Sequence, residues 1–226
     1  MIPVYKADDP SLFANYRPIS LLPGFSKFFE KVMYNRLTEF AEKYEILYCC
    51  QFGFRKNHST SLALNHLVNK ISSAIDRQEI TAGVFLDLSK AFDTLDHQIL
   101  FAKLEHYGIR GMALQWIKSY FSRRQQFVQF NLACSSKYTI KCGVPQGSIL
   151  GPLLFILYIN DLPNASKLTQ PLLFADDTSI FYSHSDPNCL ESMLKDELRN
   201  LDVCMKCNLL SVNIKKKKTR IILFLN

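Results

Sequence analysis

The sequence predicts an α+β fold, and three observations carry that expectation. Segments with helical and strand periodicity intermingle along the chain, several strands adjoin turn signals that favour antiparallel pairing, and two apolar strands end on aspartates. At 226 residues there is material for one large domain or two lobes with an ample core. A hydrophobic fraction of 48% beside a charged fraction of 21% is that of a globular chain, not a disordered one.

The elements follow in order. Asn15–Ser20 is extended, because the residue before Pro18 avoids the helical region. Phe29, Val32, Met33, Leu37 and Phe40 recur at helical spacing, giving a helix from about Phe28 to Tyr44. Ser59-Thr60 can cap a second helix carrying Leu62, Leu67, Ile71 and Ile75. Thr81–Leu86 is an apolar strand that ends at Asp87. A helix through Leu100 and Leu104 closes near Gly108, and another spans Ala113–Phe121. Gln126–Phe130 and Tyr138–Cys142 read as paired strands, and Leu153–Ile159 as a buried helix. Leu190, Leu194, Leu198, Leu201 and Met205 mark a last amphipathic helix, and Thr219–Leu225 a final strand.

Charge and cysteines narrow the classes. A formal charge of +7 suits a polyanionic partner without demanding one. The seven cysteines follow no disulfide framework and no signal peptide precedes them, so the expected setting is intracellular, not secreted. Cys204 and Cys207 have the spacing of half a zinc site but lack a second pair, and read as helix residues. The longest apolar run, Leu153–Ile159, falls far short of the ~20 residues a membrane span needs.

The chemistry-bearing feature is Asp176-Asp177, flanked by the strand-like Pro171–Ala175 and Thr178–Tyr182. A hairpin would lift both carboxylates to its tip, where they raise each other's pKa unless a cation holds them ionised. Asp87, at the end of its own apolar strand, is the expected third carboxylate, with Asp87 and Asp176 at one edge of a sheet. Carboxylates with substrate phosphates suit Mg²⁺, and Mn²⁺ fits the same ligands. Two such ions ~4 Å apart can clamp both oxygens of an in-line phosphoryl displacement. Taken singly, a strand-end aspartate often only caps a turn.

Six ordered motifs frame these aspartates: Asn15–Pro23, Gln51–Thr60, Phe85–Asp93, Gly143–Pro152, Phe174–Asp177 and Leu210–Lys216. Together they resemble the reverse-transcriptase domain of LINE-type (non-LTR) retrotransposons, of the jockey-like kind, over essentially the whole chain. The resemblance implies a right-hand polymerase fold with fingers over residues 1–80. The ferredoxin-like palm then takes most of 81–226, with part of 100–142 returning to the fingers. It implies RNA-directed DNA polymerase activity, adding deoxynucleotides (dNTPs) to a DNA primer on an RNA template with two Mg²⁺ ions, or Mn²⁺. The enzyme would work in the nucleus and/or cytoplasm with no membrane partner.

Residue by residue, Asp87 and Asp176 match the family's metal-binding aspartates, and Asp177 the third carboxylate of the set. Phe92 matches the bulky residue that stacks under the incoming sugar and would clash with a 2′-hydroxyl. From the residues alone it reads as a core Phe at a helix start. Arg17 matches the arginine that reaches the triphosphate, a task suited to a permanently charged fork. Lys6 matches a second basic contact, or is a solvated surface lysine. Gln146 matches a residue beside the nucleotide and template base. Arg55 and His58 fit a structural role in the fingers at least as well as a direct one. Lys216 matches the lysine that protonates the leaving pyrophosphate. This chain has four lysines, Lys215–Lys218, before Thr219 where the family usually has one or two, so the assignment can slip to Lys215 or Lys217. A solvated charge run or a nuclear-localisation signal is the plainer reading of those lysines.

The resemblance also implies that the thumb is missing after the last palm motif and that no endonuclease precedes Met1. An open edge near Leu223–Leu225 is expected as a result. Two alternatives stand beside the polymerase: a catalytically silent remnant that binds nucleic acid, and a group II intron-type maturase.

Overall fold

The computed structural model describes residues 1–213 and 220–224. In chain order it contains β1 (Ile2–Tyr5), β2 (Tyr16–Ile19), α1 (Gly24–Lys43), α2 (Thr60–Asp76), β3 (Ile80–Asp87), α3 (Ala91–Thr94), α4 (His97–His106) and α5 (Gly111–Phe121). There follow β4 (Gln125–Gln126), β5 (Gln129–Phe130), β6 (Ala133–Cys134), β7 (Tyr138–Thr139), α6 (Leu150–Tyr158), β8 (Leu172–Phe174), β9 (Asp177–His184), α7 (Pro187–Cys207) and β10 (Arg220–Phe224). These elements form two compact units: a helical unit of 1–44 and 92–157, and a sheet unit of 45–91 and 158–226. The divisions fall at 44/45, 91/92 and 157/158, and 45–80 pack with the sheet.

The sheet unit is built on an antiparallel sheet of order β10-β3-β9-β8. Thr81–Val84 are buried at consecutive positions, so both faces of β3 are covered where the strand is most apolar. Helices α2 and α7 both lie against β3. Gly83 is required by close packing, since a Cβ there would stand 2.8 Å from the Phe181 ring. Phe181 in turn joins a cluster with Cys50, Phe52, Ala63 and Leu172. Helix α2 starts where the sequence indicates, with Ser59 Oγ accepting from the Leu62 amide at 3.2 Å. Helix α7 buries Leu190, Leu194, Leu201 and Met205 on one stripe. Glu197, 1% exposed, interrupts that stripe and accepts from Ser166 Oγ and the amides of Lys167 (3.0 Å) and Leu168 (3.3 Å). Strand β10 is the outer strand of the sheet, with Ile221, Ile222 and Leu223 exposed.

The helical unit opens with the antiparallel pair β1–β2. Helix α1 carries a fully buried acid, Glu30, which accepts from Tyr120 Oη at 3.0 Å and from the Ile149 amide at 2.7 Å. Burial, then the Glu30 charge, pushes the Tyr120 hydroxyl up to about 12. In α6, Leu150 and Leu153–Leu157 are at most 2% exposed. Each such side chain stabilises the fold by about 1.5–3 kcal/mol through removal from water. The strands expected at 126–130 and 138–142 form two nested pairs instead of one: β4 with β7, and β5 with β6. Asn131, at φ 52°, reverses the chain early and diverts Gln129–Phe130 onto Ala133–Cys134.

Among the described residues, no helix is long and apolar enough to cross a membrane.

Candidate active site

The sheet register assembles the carboxylates. Strands β3 and β9 pair antiparallel from Ile80 opposite His184 to Asp87 opposite Asp177. Directly opposed residues hold their Cβ atoms about 4.5–5.5 Å apart and face the same side, where like charges repel. Asp176 precedes Asp177 in the two-residue turn between β8 and β9, which Phe174 and Asp177 close. Asp87 and Asp176 are half-buried and Asp177 is exposed. Asp177 is thus the direct partner of Asp87, and Asp176 stands one residue away at the hairpin tip.

The turn itself is unusual. Of its two central residues only Ala175 has a positive φ, at 56°, a position that in such hairpins favours glycine. Its buried amide donates to Gln51 Oε1 at 3.1 Å. The same oxygen accepts from the Gly53 amide at 2.8 Å. Residues 50–52 run beside β8, with Phe52 N donating to Leu173 O (2.8 Å) and Leu173 N to Cys50 O (2.9 Å). Arg55 Nη1 donates to the carbonyls of Tyr48 (2.9 Å) and Gln51 (3.4 Å), which gives Arg55 a structural part in this loop. His58 Nδ1 lies 2.9 Å from the Lys56 carbonyl.

Asn213 carries a role that its motif does not single out. Its side-chain amide donates to Asp87 Oδ2 at 2.9 Å, and its backbone amide donates to the Asp87 carbonyl at 2.7 Å. The signal was available, since Leu210–Lys216 is one of the six motifs and Val212 bridges to Leu88. Lys216 lies outside the described residues, as do the alternatives Lys215 and Lys217.

The remaining predicted residues belong to the helical unit. Arg17 is exposed on β2, opposite Val4. Lys6 is exposed, its backbone amide bonded to the Asn15 carbonyl at 2.9 Å. The Phe92 ring is half-buried and packs on Phe155 with centroids 4.5 Å apart. Gln146 donates through Nε2 to Asp93 Oδ1 at 2.8 Å, and its carbonyl accepts from Ser20 N at 2.8 Å. Within its own unit Gln146 is therefore tied to the motif that follows Asp87 in sequence.

All the acidic donors are oxygens, the set that hard divalent cations prefer. Among the described residues no three His, Cys, Asp or Glu side chains stand together as a metal cage. The opposed Asp87–Asp177 pair fits the looser arrangement in which a hard divalent cation takes one or two carboxylates and completes its shell with phosphate oxygens and water.

An antiparallel sheet with aspartates opposed at the end of β3 and the adjacent hairpin, carried by these ordered motifs, defines the class. The reverse transcriptase (RNA-dependent DNA polymerase) family matches residues 4–223, and the chain belongs to that family, whose members generally use divalent metal ions. Its relatives are non-LTR elements. The probable RNA-directed DNA polymerase from transposon BS of Drosophila melanogaster is 35% identical over 89% of this chain and 23% of its own length. The probable RNA-directed DNA polymerase from transposon X-element of the same fly is 38% identical over 75% of this chain and 19% of its own length. The RNA-directed DNA polymerase from mobile element jockey of Drosophila funebris is 36% identical over 69% of this chain and 17% of its own length. The chain thus spans about a fifth of the length of these relatives. Telomerases from Candida tropicalis and Candida albicans, each in complex with a TWJ fragment of telomeric RNA, share the fold, with TM-scores of 0.61 and 0.55. Both are 13% identical to this chain and cover 88% of it, over 34% of their own. The right-hand polymerase fold expected from the motifs is the fold of this chain.

Proposed function

We propose that this chain is the polymerising portion of a non-LTR retrotransposon reverse transcriptase, adding deoxynucleotides to a DNA primer on an RNA template. The observation that supports it best is the register that opposes Asp87 and Asp177 beside Asp176. Two Mg²⁺ ions at these carboxylates, replaceable by Mn²⁺, would supply charge neutralisation at the attacking and leaving oxygens. The primer 3′-hydroxyl attacks the α-phosphate and pyrophosphate leaves, with positioning and electrostatics lowering the barrier.

The other roles rest on the motif resemblance. Arg17, with Lys6, would hold the triphosphate, and Gln146 would lie beside the nucleotide. Phe92 would stack under the sugar and exclude a 2′-hydroxyl, its other side being already set against Phe155. Lys216 would return a proton to the pyrophosphate. Asn213, through its bonds to Asp87, would keep that carboxylate aimed along the strand end. In functional terms residues 1–80 would serve as fingers and 81–226 mainly as palm, with part of 100–142 returning to the fingers. The setting would be the nucleus and/or cytoplasm.

The test is primer extension on an RNA template with Mg²⁺ and dNTPs. Incorporation that depends on template sequence and stops in EDTA is expected. No incorporation by folded protein that still binds the primer-template would overturn the enzyme reading and leave a nucleic-acid-binding remnant.

A further inference from the structure

We propose that Gln51 is a positioning residue for the catalytic hairpin: its side-chain carbonyl sets the turn that presents Asp176 and Asp177. The inference rests on the polymerase reading for its functional half and on geometry alone for its structural half.

A two-residue hairpin leaves the amide of its first central residue outside the strand ladder. Here that residue is Ala175, 6% exposed, so its amide needs a partner within the protein. Gln51, 1% exposed, supplies it through Oε1. Both neighbours of that oxygen, the amides of Ala175 and Gly53, are donors, which fixes the orientation of the side-chain amide. Gln51 Nε2 is buried and has no hydrogen-bond partner among the described residues. The side chain is thus anchored through its carbonyl end, by the two amides that donate to Oε1.

Three further features converge on the same contact. Ala175 holds a φ of 56°, a conformation an alanine keeps only when its surroundings impose it. Gly53 lies so close that a Cβ on it would stand 2.2 Å from the Ala175 nitrogen. Residues 50–52 are laddered to Leu173, two positions before Ala175, so Gln51 reaches the turn from a fixed backbone. Backbone, side chain and the missing Cβ together clamp the turn that carries the carboxylates.

The experiment compares the wild-type chain with Gln51→Met, which keeps the length but removes the strong acceptor, and Gln51→Glu, which keeps an acceptor oxygen. Amide hydrogen exchange is read at Ala175, with Leu173, bonded to a backbone carbonyl, as internal reference. In Gln51→Met, exchange at Ala175 should rise about tenfold or more against Leu173, and the incorporation rate should fall on the order of 10–100-fold. The KM for dNTP should stay unchanged, and Gln51→Glu should restore both readouts.

A Gln51→Met protein that is less stable but incorporates at the wild-type rate per folded molecule would make Gln51 merely structural and overturn the inference. Unchanged protection at Ala175 would overturn it as well. If the wild type itself does not polymerise, the functional reading fails separately and the exchange comparison still decides the clamp. If Gln51→Met does not fold, the shorter Gln51→Asn, which withdraws the acceptor from Ala175, is read by the same two measurements, and an Ala175 amide exchanging like an open loop in the wild type would refute the proposal.

Discussion

Replacing Glu30 by alanine should cost about 3 kcal/mol of stability. The acid is fully buried on α1 and receives two hydrogen bonds, from Tyr120 Oη at 3.0 Å and from the Ile149 amide at 2.7 Å. Hydrogen bonds to a charged group contribute about 1.5–3 kcal/mol each. Both donors are only part-buried, so the lower figure applies to each. Ile149 immediately precedes α6, so the carboxylate also faces the positive end of that helix. For a chain of this size 3 kcal/mol corresponds to roughly 6–12 °C in Tm. Glu30→Gln keeps one acceptor oxygen and should lose about half as much. Urea denaturation of the three proteins measures this, and a cycle with Tyr120→Phe isolates the Tyr120 share. A loss below about 1 kcal/mol for Glu30→Ala, or no coupling to Tyr120, would refute the idea that this acid joins α1, α5 and the start of α6.

Asp176→Asn should lower incorporation by at least about 10³-fold with folding and primer-template binding intact; retained activity in an extension assay would mean the carboxylate site is misassigned. Phe92→Val should admit ribonucleotides, read as the ratio of dNTP to rNTP incorporation. It should also cost about 1–2 kcal/mol, because the ring packs on Phe155. Stability should fall as pH rises above about 9. Burial raises the Cys50 thiol from its ordinary 9.0 and lifts the Tyr48 and Tyr120 hydroxyls, so the unfolded chain releases these protons first. Lys70, whose pKa burial lowers, works in the opposite direction over the same range. A urea midpoint at pH 10 equal to that at pH 8 would contradict the net decline.

Much of this architecture is legible in local sequence. The Leu190–Met205 stripe marks α7, Ser59 marks the start of α2, and the apolar run ending at Asp87 marks β3. These signals are periodic or lie within one turn of the residue they specify. What escapes is set by register and by distant partners. Nothing near Asp87 in sequence says that it will face Asp177 and not Asp176, a choice made by the turn at Ala175-Asp176. Gln51 and Ala175 are 124 positions apart, and Asn213 lies 126 from Asp87. Glu30 carries the label of a surface residue in any hydropathy profile, yet it is fully buried because two donors surround it. The motif containing Gln51 is legible in the sequence, whereas its contact with the Ala175 amide depends on the pairing of residues 50–52 with Leu173.

The sheet order carries a consequence for synthesis. Strand β3 is central, and both of its neighbours, β9 and β10, come from far later in the chain. As the polypeptide leaves the ribosome, ninety positions separate Asp87 from its partner Asp177. At about 5–20 residues per second β3 waits roughly 5–20 s with both edges unpaired. During that interval Thr81–Leu86 is a short apolar strand seeking any available edge, including that of another nascent copy. A need for chaperones during translation, and misassembly when many ribosomes share one message, are the expected outcomes for a strand made well before both of its neighbours.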